Sequence, residues 1–309
     1  LRELNVKNKS EDISKMSNDT HESIWSHLMR IEFQQGYADA GGIRTRYVHA
    51  GRPDRPTVLF VHGIGGSWEA FCANIGPFSQ HFNVYAFDNI GAGFSDKPER
   101  PIYAMDDYVA HIGAFLDTMG LRKTHMIGVS MGGWSCINFA HAYPERVDRL
   151  VLCAASGLKR DPGFTPPAAT SIRNERAKAI DNPTWENIAN IFNDLIADPQ
   201  RRIPDLIKVR QEVYKLPEMK ASMQRILGIT QTENFNKSAL SDEQWREIAH
   251  RVLLIESSDD SEHFRKNTHR AHALLQNSRI LPMSGVAHWP PFEKPDEFNN
   301  AAIEFLLEA

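Results

Sequence analysis

Gly128-Val129-Ser130-Met131-Gly132 is the stretch on which the fold turns. It follows an apolar strand-like run, His125 to Val129, and opens a helical pattern from Met131 to about Ala142, with Pro144 beyond. Glycines on both sides permit the close-packed strand-to-helix turn that lifts a serine hydroxyl clear of a sheet edge, which makes Ser130 the candidate nucleophile. The plain alternative is a glycine-rich turn whose serine only caps the helix. Three features elsewhere favour the nucleophile, because independent signals agree on one chemistry.

The first is His62-Gly63-Ile64-Gly65-Gly66, after the apolar run from Thr57. Acyl transfer needs N–H donors aimed at a developing oxyanion. A glycine-rich turn after a strand supplies one and the residue following the nucleophile supplies the other, so Ile64 and Met131 are the expected pair. His62 is expected to hydrogen-bond this loop rather than to act as a base or metal ligand. The second feature is an acid after the strand Arg251 to Ile255, in Ser257-Ser258-Asp259-Asp260. A histidine base needs a carboxylate on its other nitrogen, and Asp260 is the choice with Asp259 in reserve. Either could instead cap the helix beginning at Glu262, and one of the two is expected to. The third is His288, in Ser284-Gly285-Val286-Ala287-His288-Trp289 after the last strand, which completes the order Ser, Asp, His. His269 and His272, one helical turn apart, lack a third ligand at metal-site spacing. His111 and His141 fall within helical patterns and are read as structural.

Around these motifs strands and helices alternate. Strand patterns at Arg44 to Ala50, Thr57 to His62, Asn83 to Asp88 and Arg149 to Ala154, with a helix over Tyr108 to Met119, predict a helix-covered parallel sheet. The alternation stops between Ser156 and Trp245. There Asn182-Pro183 reads as a helix start, helical spacing follows through Leu216 and again from Met219 to Leu227, and Ser241 with Gln244 makes a capping box. Strand Arg251 to Ile255, helix Glu262 to Leu275, strand Ser278 to Pro282 and helix Pro295 to Leu307 resume the pattern. The expected organisation is a polar tail and short helix over 1–30, an α/β core over 31–156 and 245–309, and a helical cap over 157–244.

Composition narrows the partners. The 309 residues are 41% hydrophobic and 24% charged, which excludes disorder throughout. Lys+Arg 35 against Asp+Glu 39 leaves a net charge of −4 without a basic block, so nucleic acid is not an expected partner. Cys72, Cys136 and Cys153 form no framework and read as free thiols of a reducing, cytoplasmic compartment. The polar stretch to about Thr20 reads as a disordered tail and has no signal-peptide core, and no apolar run approaches the ~20 residues of a membrane span. The expected partner is a small-molecule substrate, with a homodimer also compatible and no cofactor or metal implied.

With His62-Gly63, the turn Asp88-Asn89-Ile90-Gly91-Ala92-Gly93-Phe94-Ser95, the elbow, Asp260 and His288 in place, the chain resembles the α/β-hydrolase superfamily from about Tyr37 to Leu307. That resemblance implies a mostly parallel sheet with a helical cap inserted over the site. Ser130 at the elbow sets the chain apart from branches with an aspartate nucleophile. Ser130-Met131-Gly132-Gly133, His288-Trp289 with Glu293 and Phe298-Asn299, and Val209-Arg210-Gln211 are similar to the meta-cleavage-product hydrolases, which cut carbon–carbon bonds in aromatic degradation. In that group a cap arginine binds the dienoate carboxylate and the tryptophan lines the pocket, which implies those roles for Arg210 and Trp289. The chain departs from the group's usual pattern at Val129, at Ile64-Gly65-Gly66-Ser67, and at Ser257 and His263.

The favoured substrate at this point is a carboxylic ester or lactone with an apolar or aromatic body, since the cap offers Phe192, Met219, Met223 and Ile226. At helical spacing most of these residues are expected to be cap core. Gly63 and Val129, beside the expected donors and nucleophile, complete the candidate substrate contacts. The alternative is hydrolysis of a vinylogous diketone acid anchored by Arg210, unless Arg210 pairs with Glu212 or Asp205 at the surface. A ligand-sensing receptor and a cofactor-free dioxygenase are the readings from other classes.

Overall fold

A computed structural model describes residues 22–154, 156–161 and 163–308. The expected polar tail, residues 1–20, lies outside them. Eight strands, β1 (Phe33–Asp39), β2 (Arg44–Ala50), β3 (Thr57–Val61), β4 (Asn83–Phe87), β5 (Thr124–Val129), β6 (Val147–Cys153), β7 (Arg251–Ser257) and β8 (Ser278–Met283), form one sheet in the order β1-β2-β4-β3-β5-β6-β7-β8. β2 runs antiparallel to β1 and β4, and every pairing from β4 onward is parallel. The central strands are apolar because helices cover both faces, which buries β4 and β5 along their whole length. Phe60, fully buried between Phe71 and Phe78 at centroid distances of 4.8 and 5.0 Å, shows how the core is filled.

The sequence pattern missed β1. This edge strand keeps a polar, partly exposed face (FQQGYAD) and so lacks the apolar run that marks the central strands. It also missed the helix Cys72–Ser79, which contains Gly76 and Pro77 and is buried nearly all round rather than along one stripe. The N-terminal apolar cluster forms the short helix Ile24–Leu28, capped by Ser23.

Among the described residues four α-helices precede β6, α1 (Ile24–Leu28), α2 (Cys72–Ser79), α3 (Met105–Thr118) and α4 (Met131–Ala142), and six lie between β6 and β7, α5 (Pro167–Asp181), α6 (Trp185–Asn193), α7 (Pro204–Tyr214), α8 (Met219–Gly228), α9 (Thr232–Ser238) and α10 (Asp242–Arg246). A single bridge, Leu158 to Leu240, ties the two ends of this stretch together. The start expected at Asn182 is displaced. Asn182 closes α5, and α6 is capped by Thr184, whose hydroxyl accepts from the Asn187 N–H at 3.2 Å. Thr satisfies an orphan donor that the Asn-Pro pair leaves free. The Ser241/Gln244 capping box is present, although its helix stops at Arg246. Among the described residues no helix is long and apolar enough to cross a membrane.

Because β3, β5, β7 and β8 are parallel, the loops at their C-terminal ends open on one edge of the sheet. Each loop carries one part of the candidate site: the 62–67 turn, Ser130, Asp260 and His288.

Candidate active site

Ser130 links β5 to the helix Met131–Ala142, with φ 55° and ψ −118°, a strained conformation for a residue with a side chain. Its N–H donates to Cys153 O at 2.9 Å and its carbonyl accepts from Trp134 N–H at 3.0 Å, so both sides of the turn are anchored. The glycines are required by contact. A Cβ on Gly132 would stand 2.0 Å from Val61 O, and one on Gly128 would stand 2.5 Å from the Gly133 nitrogen. The sharp turn is possible only where sheet and helix backbones touch.

His288 Nδ1 lies 2.9 Å from Asp260 Oδ2, and both side chains are almost fully buried. An ionised carboxylate can only accept, so Nδ1 carries the hydrogen, and Nε2 is the nitrogen that holds the lone pair in the neutral ring. Asp260 Oδ1 also accepts from the Ser261 N–H at 2.7 Å, which holds the carboxylate in place. Asp259 instead accepts from the Ser258 hydroxyl at 2.7 Å and is not the histidine's partner. The expectation that one of the two aspartates caps the following helix fails. Ser261 occupies the cap position, without a side-chain bond.

Glu293, which the sequence offered only as part of a resemblance, organises the histidine loop. Its Oε1 accepts from the N–H groups of Ala287 (2.8 Å) and Trp289 (3.1 Å), the two neighbours of His288. Its Oε2 accepts from Ala197 N–H at 2.6 Å, tying the helical stretch to the same carboxylate. Burial pushes the Glu293 carboxyl above its ordinary range, against the pull of those three N–H groups.

The donor loop is held by His62, as expected. Asn89 N–H donates to His62 Nε2 at 3.0 Å while His62 Nδ1 meets Gly63 O at 2.8 Å, so the imidazole is neutral with its hydrogen on Nδ1. Both nitrogens are occupied, and burial drives its pKa down to about 4. The adjoining turn is anchored by Asp88, which accepts from Arg46 Nε (2.7 Å), Trp68 N–H (2.8 Å) and Phe94 N–H (2.8 Å). Among the described residues neither the Ile64 nor the Met131 N–H has a protein acceptor. Two free donors flanking the serine suit an oxyanion.

Ser130 opens into two lobes that share Ile64 and Ile172. One is lined by Gly63, Val129, Arg176, Arg210, His288 and Trp289 among others. The second adds Met131, Trp134, Arg160, Phe235, His263 and Phe264.

Residues 56–293, well over half of the chain, match the family described as alpha/beta hydrolase fold. The chain belongs to this family. The 2-hydroxy-6-oxo-2,4-heptadienoate hydrolase of Pseudomonas putida is 26% identical over 272 residues, covering 86% of this chain and 94% of the relative. The 2-hydroxy-6-oxo-6-phenylhexa-2,4-dienoate hydrolase of Comamonas testosteroni is 28% identical over 282 residues, covering 87% and 93%. Among solved structures, a meta-cleavage product hydrolase from Pseudomonas fluorescens superposes with a TM-score of 0.77 at 26% identity, covering 90% of this chain and 98% of that one. The protein is thus a serine hydrolase of the alpha/beta hydrolase family.

Within this hydrolase the candidate substrate residues divide. Gly63, Val129, Arg210 and Trp289 face the first lobe. Phe192 lines neither lobe; it lies beneath the Arg210 guanidinium, 5.0 Å from it, and against Trp289 at 6.2 Å. Met219 is fully buried and also lines neither lobe, so it is packing rather than a contact. Arg210 has neither of the surface partners considered, since Glu212 takes Lys208 and Lys215, and Asp205 accepts from Ser23 and the Ile24 N–H. Its Nη1 is buried without a partner, and burial lowers its pKa to about 10.

Arg176 was missed. It is 3% exposed, with Nε unpartnered and Nη1 reaching only Ile172 O at 3.3 Å. The available signal was an arginine on the apolar stripe Ile172, Arg176, Ala179, Ile180 of a helix. His269 and His272 go to Glu256 and Ser278 separately, and among the described residues no three His, Cys, Asp or Glu side chains are placed to hold a metal.

Proposed function

We propose that the protein hydrolyses a carbon–carbon bond in a vinylogous diketone acid, with the helical stretch 157–244 acting as a cap over a core of 31–156 and 245–309. The carrying observation is the pair Arg176 and Arg210, two buried guanidinium groups with unpartnered nitrogens in the lobe that contains Ser130 and His288. Neither guanidinium is hydrogen-bonded to a carboxylate, although Asp194 and Glu175 lie within charge range of Arg176, and an anionic substrate end offsets the cost of burying the two cations. A neutral ester would leave both arginines unpaired, so the ester or lactone preferred on sequence grounds gives way. The relatives' names point the same way.

In this reading His288 takes the Ser130 proton, Asp260 orients the imidazole, and the oxyanion forms against the Ile64 and Met131 N–H groups. Expelling a carbon leaving group requires somewhere for its electron pair to go. A conjugated oxo-acid whose carboxylate rests on Arg210 and Arg176 supplies that sink, with Trp289 against its plane. The departing half takes the Ser130 proton from His288, and water activated by the freed imidazole then releases the acyl half from Ser130 as a carboxylic acid.

The test is the loss of dienolate absorbance with a 2-hydroxy-6-oxo-dienoate, beside p-nitrophenyl butyrate. The ring-fission substrate should show a kcat/KM at least about a hundredfold higher. Ser130→Ala should still bind it while turnover disappears. Efficient ester cleavage without ring-fission turnover refutes the carbon–carbon reading, and turnover surviving Ser130→Ala refutes the nucleophile.

A further inference from the structure

The second lobe carries a third cation that the proposed chemistry does not use. Arg160 lies with its guanidinium 3.7 Å from the Phe235 ring centroid, its Nη1 donates to Thr230 O at 2.9 Å, and its Nε is buried without a partner. No carboxylate pairs with it among the described residues. Asn236 fixes its backbone from both sides, accepting from Arg160 N–H at 2.8 Å and donating to Arg160 O at 3.0 Å. Burial alone lowers its pKa to about 10, which leaves it charged at neutral pH, while the neighbouring His263 is held neutral with a pKa near 4.

Orientation follows from which lobe holds which group. Met131 lines only the second lobe and Arg210 only the first. With the scissile carbonyl oxygen between the Ile64 and Met131 N–H groups and the dienoate on Arg210, the acyl half extends toward Arg160. We propose that Arg160 is a specificity residue for a second anionic group, so that the substrate is a dianion with a carboxylate at the far end of its acyl half. This rests on the carbon–carbon reading for its orientation. Ser130 Oγ loses its proton to His288 and bonds to the carbonyl carbon, the carbon–carbon bond breaks with the electron pair leaving on the dienoate half, which takes that proton from His288, and water then breaks the acyl–Ser130 bond, releasing the acyl half as a dicarboxylic acid and returning the proton to Ser130.

The acyl side can be probed apart from carbon–carbon cleavage. The full chain is assayed on the mono-p-nitrophenyl ester of succinic acid and on p-nitrophenyl butyrate, which differ in the terminal carboxylate. The wild-type protein should favour the acid-tailed ester by about tenfold or more in kcat/KM, the scale of one charged contact. Arg160→Met should erase that preference and leave butyrate within about threefold, while Arg160→Lys retains part of it. Equal or better cleavage of butyrate by the wild type, cleavage of neither ester, or a preference that survives Arg160→Met in a folded protein overturns the proposal. If Arg160→Met does not fold, the Arg160→Lys and wild-type ratios decide it. Failure of ring-fission turnover with an intact Arg160-dependent ester preference refutes the carbon–carbon reading alone.

Discussion

Replacing Arg210 by Met should make the protein more stable and less active at once. The guanidinium is buried without a carboxylate, and its pKa falls from the ordinary 12.5 to about 10 because burial disfavours the charge. At pH 7 that drop corresponds to about 3 kcal/mol by which the folded state is penalised. Met has a similar length and helix propensity, so it removes the penalty without breaking α7. The contact with Phe192 is lost, worth roughly 0.5–2 kcal/mol. A net gain of about 1–2.5 kcal/mol remains, which should raise the melting midpoint by roughly 1.5–4 °C at this chain size. In the same protein, loss of a buried charged contact to the substrate carboxylate costs about 3–4 kcal/mol, or roughly a 10²–10³-fold fall in kcat/KM on the ring-fission substrate. Calorimetry and the dienolate assay on one preparation, with p-nitrophenyl butyrate as a neutral control, read both signs. A midpoint lowered by several degrees, or ring-fission turnover within threefold of wild type, would refute the reasoning.

Two other changes test the supporting structure. Glu293→Gln replaces one accepting oxygen of a carboxylate that takes three backbone N–H groups, so it should lower kcat well beyond KM by loosening the His288 loop; an unchanged kcat means the loop holds itself. Acid sensitivity should trace to buried neutral histidines. His111 takes the Ile90 N–H on Nδ1 at 3.1 Å and meets Thr45 Oγ1 through Nε2 at 2.7 Å, and burial lowers its pKa to about 3. Between pH 6.5 and that value the unfolded chain binds a proton that the folded chain refuses, so stability falls as pH falls through this window. His111→Gln, which can keep both bonds without titrating, should flatten the decline in melting midpoint below pH 6.5; a slope equal to wild type assigns the acid loss elsewhere.

Local chemistry made much of this protein legible from sequence. Central strands such as Thr57–Val61 and Thr124–Val129 are buried on both faces and must be apolar, and the elbow needs glycine wherever backbones touch, so both leave marks readable residue by residue. The order serine, acid, histidine followed from strand ends, with Ser130 and His288 named and the acid placed at Asp260 or Asp259. Contacts between distant segments decided the rest. Asp259 and Asp260 are chemically identical neighbours, and only the approach of His288 distinguishes them. Met219 and Arg210 sit on successive helices with no local sign that one is packing and the other faces the cavity. Arg176 and Arg160 belong to no motif, and only folding buries nitrogens of both in the lobes at the serine without a carboxylate hydrogen-bonded to them. A sequence records which charges exist; whether each is screened by water, paired with a carboxylate or held for a substrate depends on what the fold brings within a few ångströms of it.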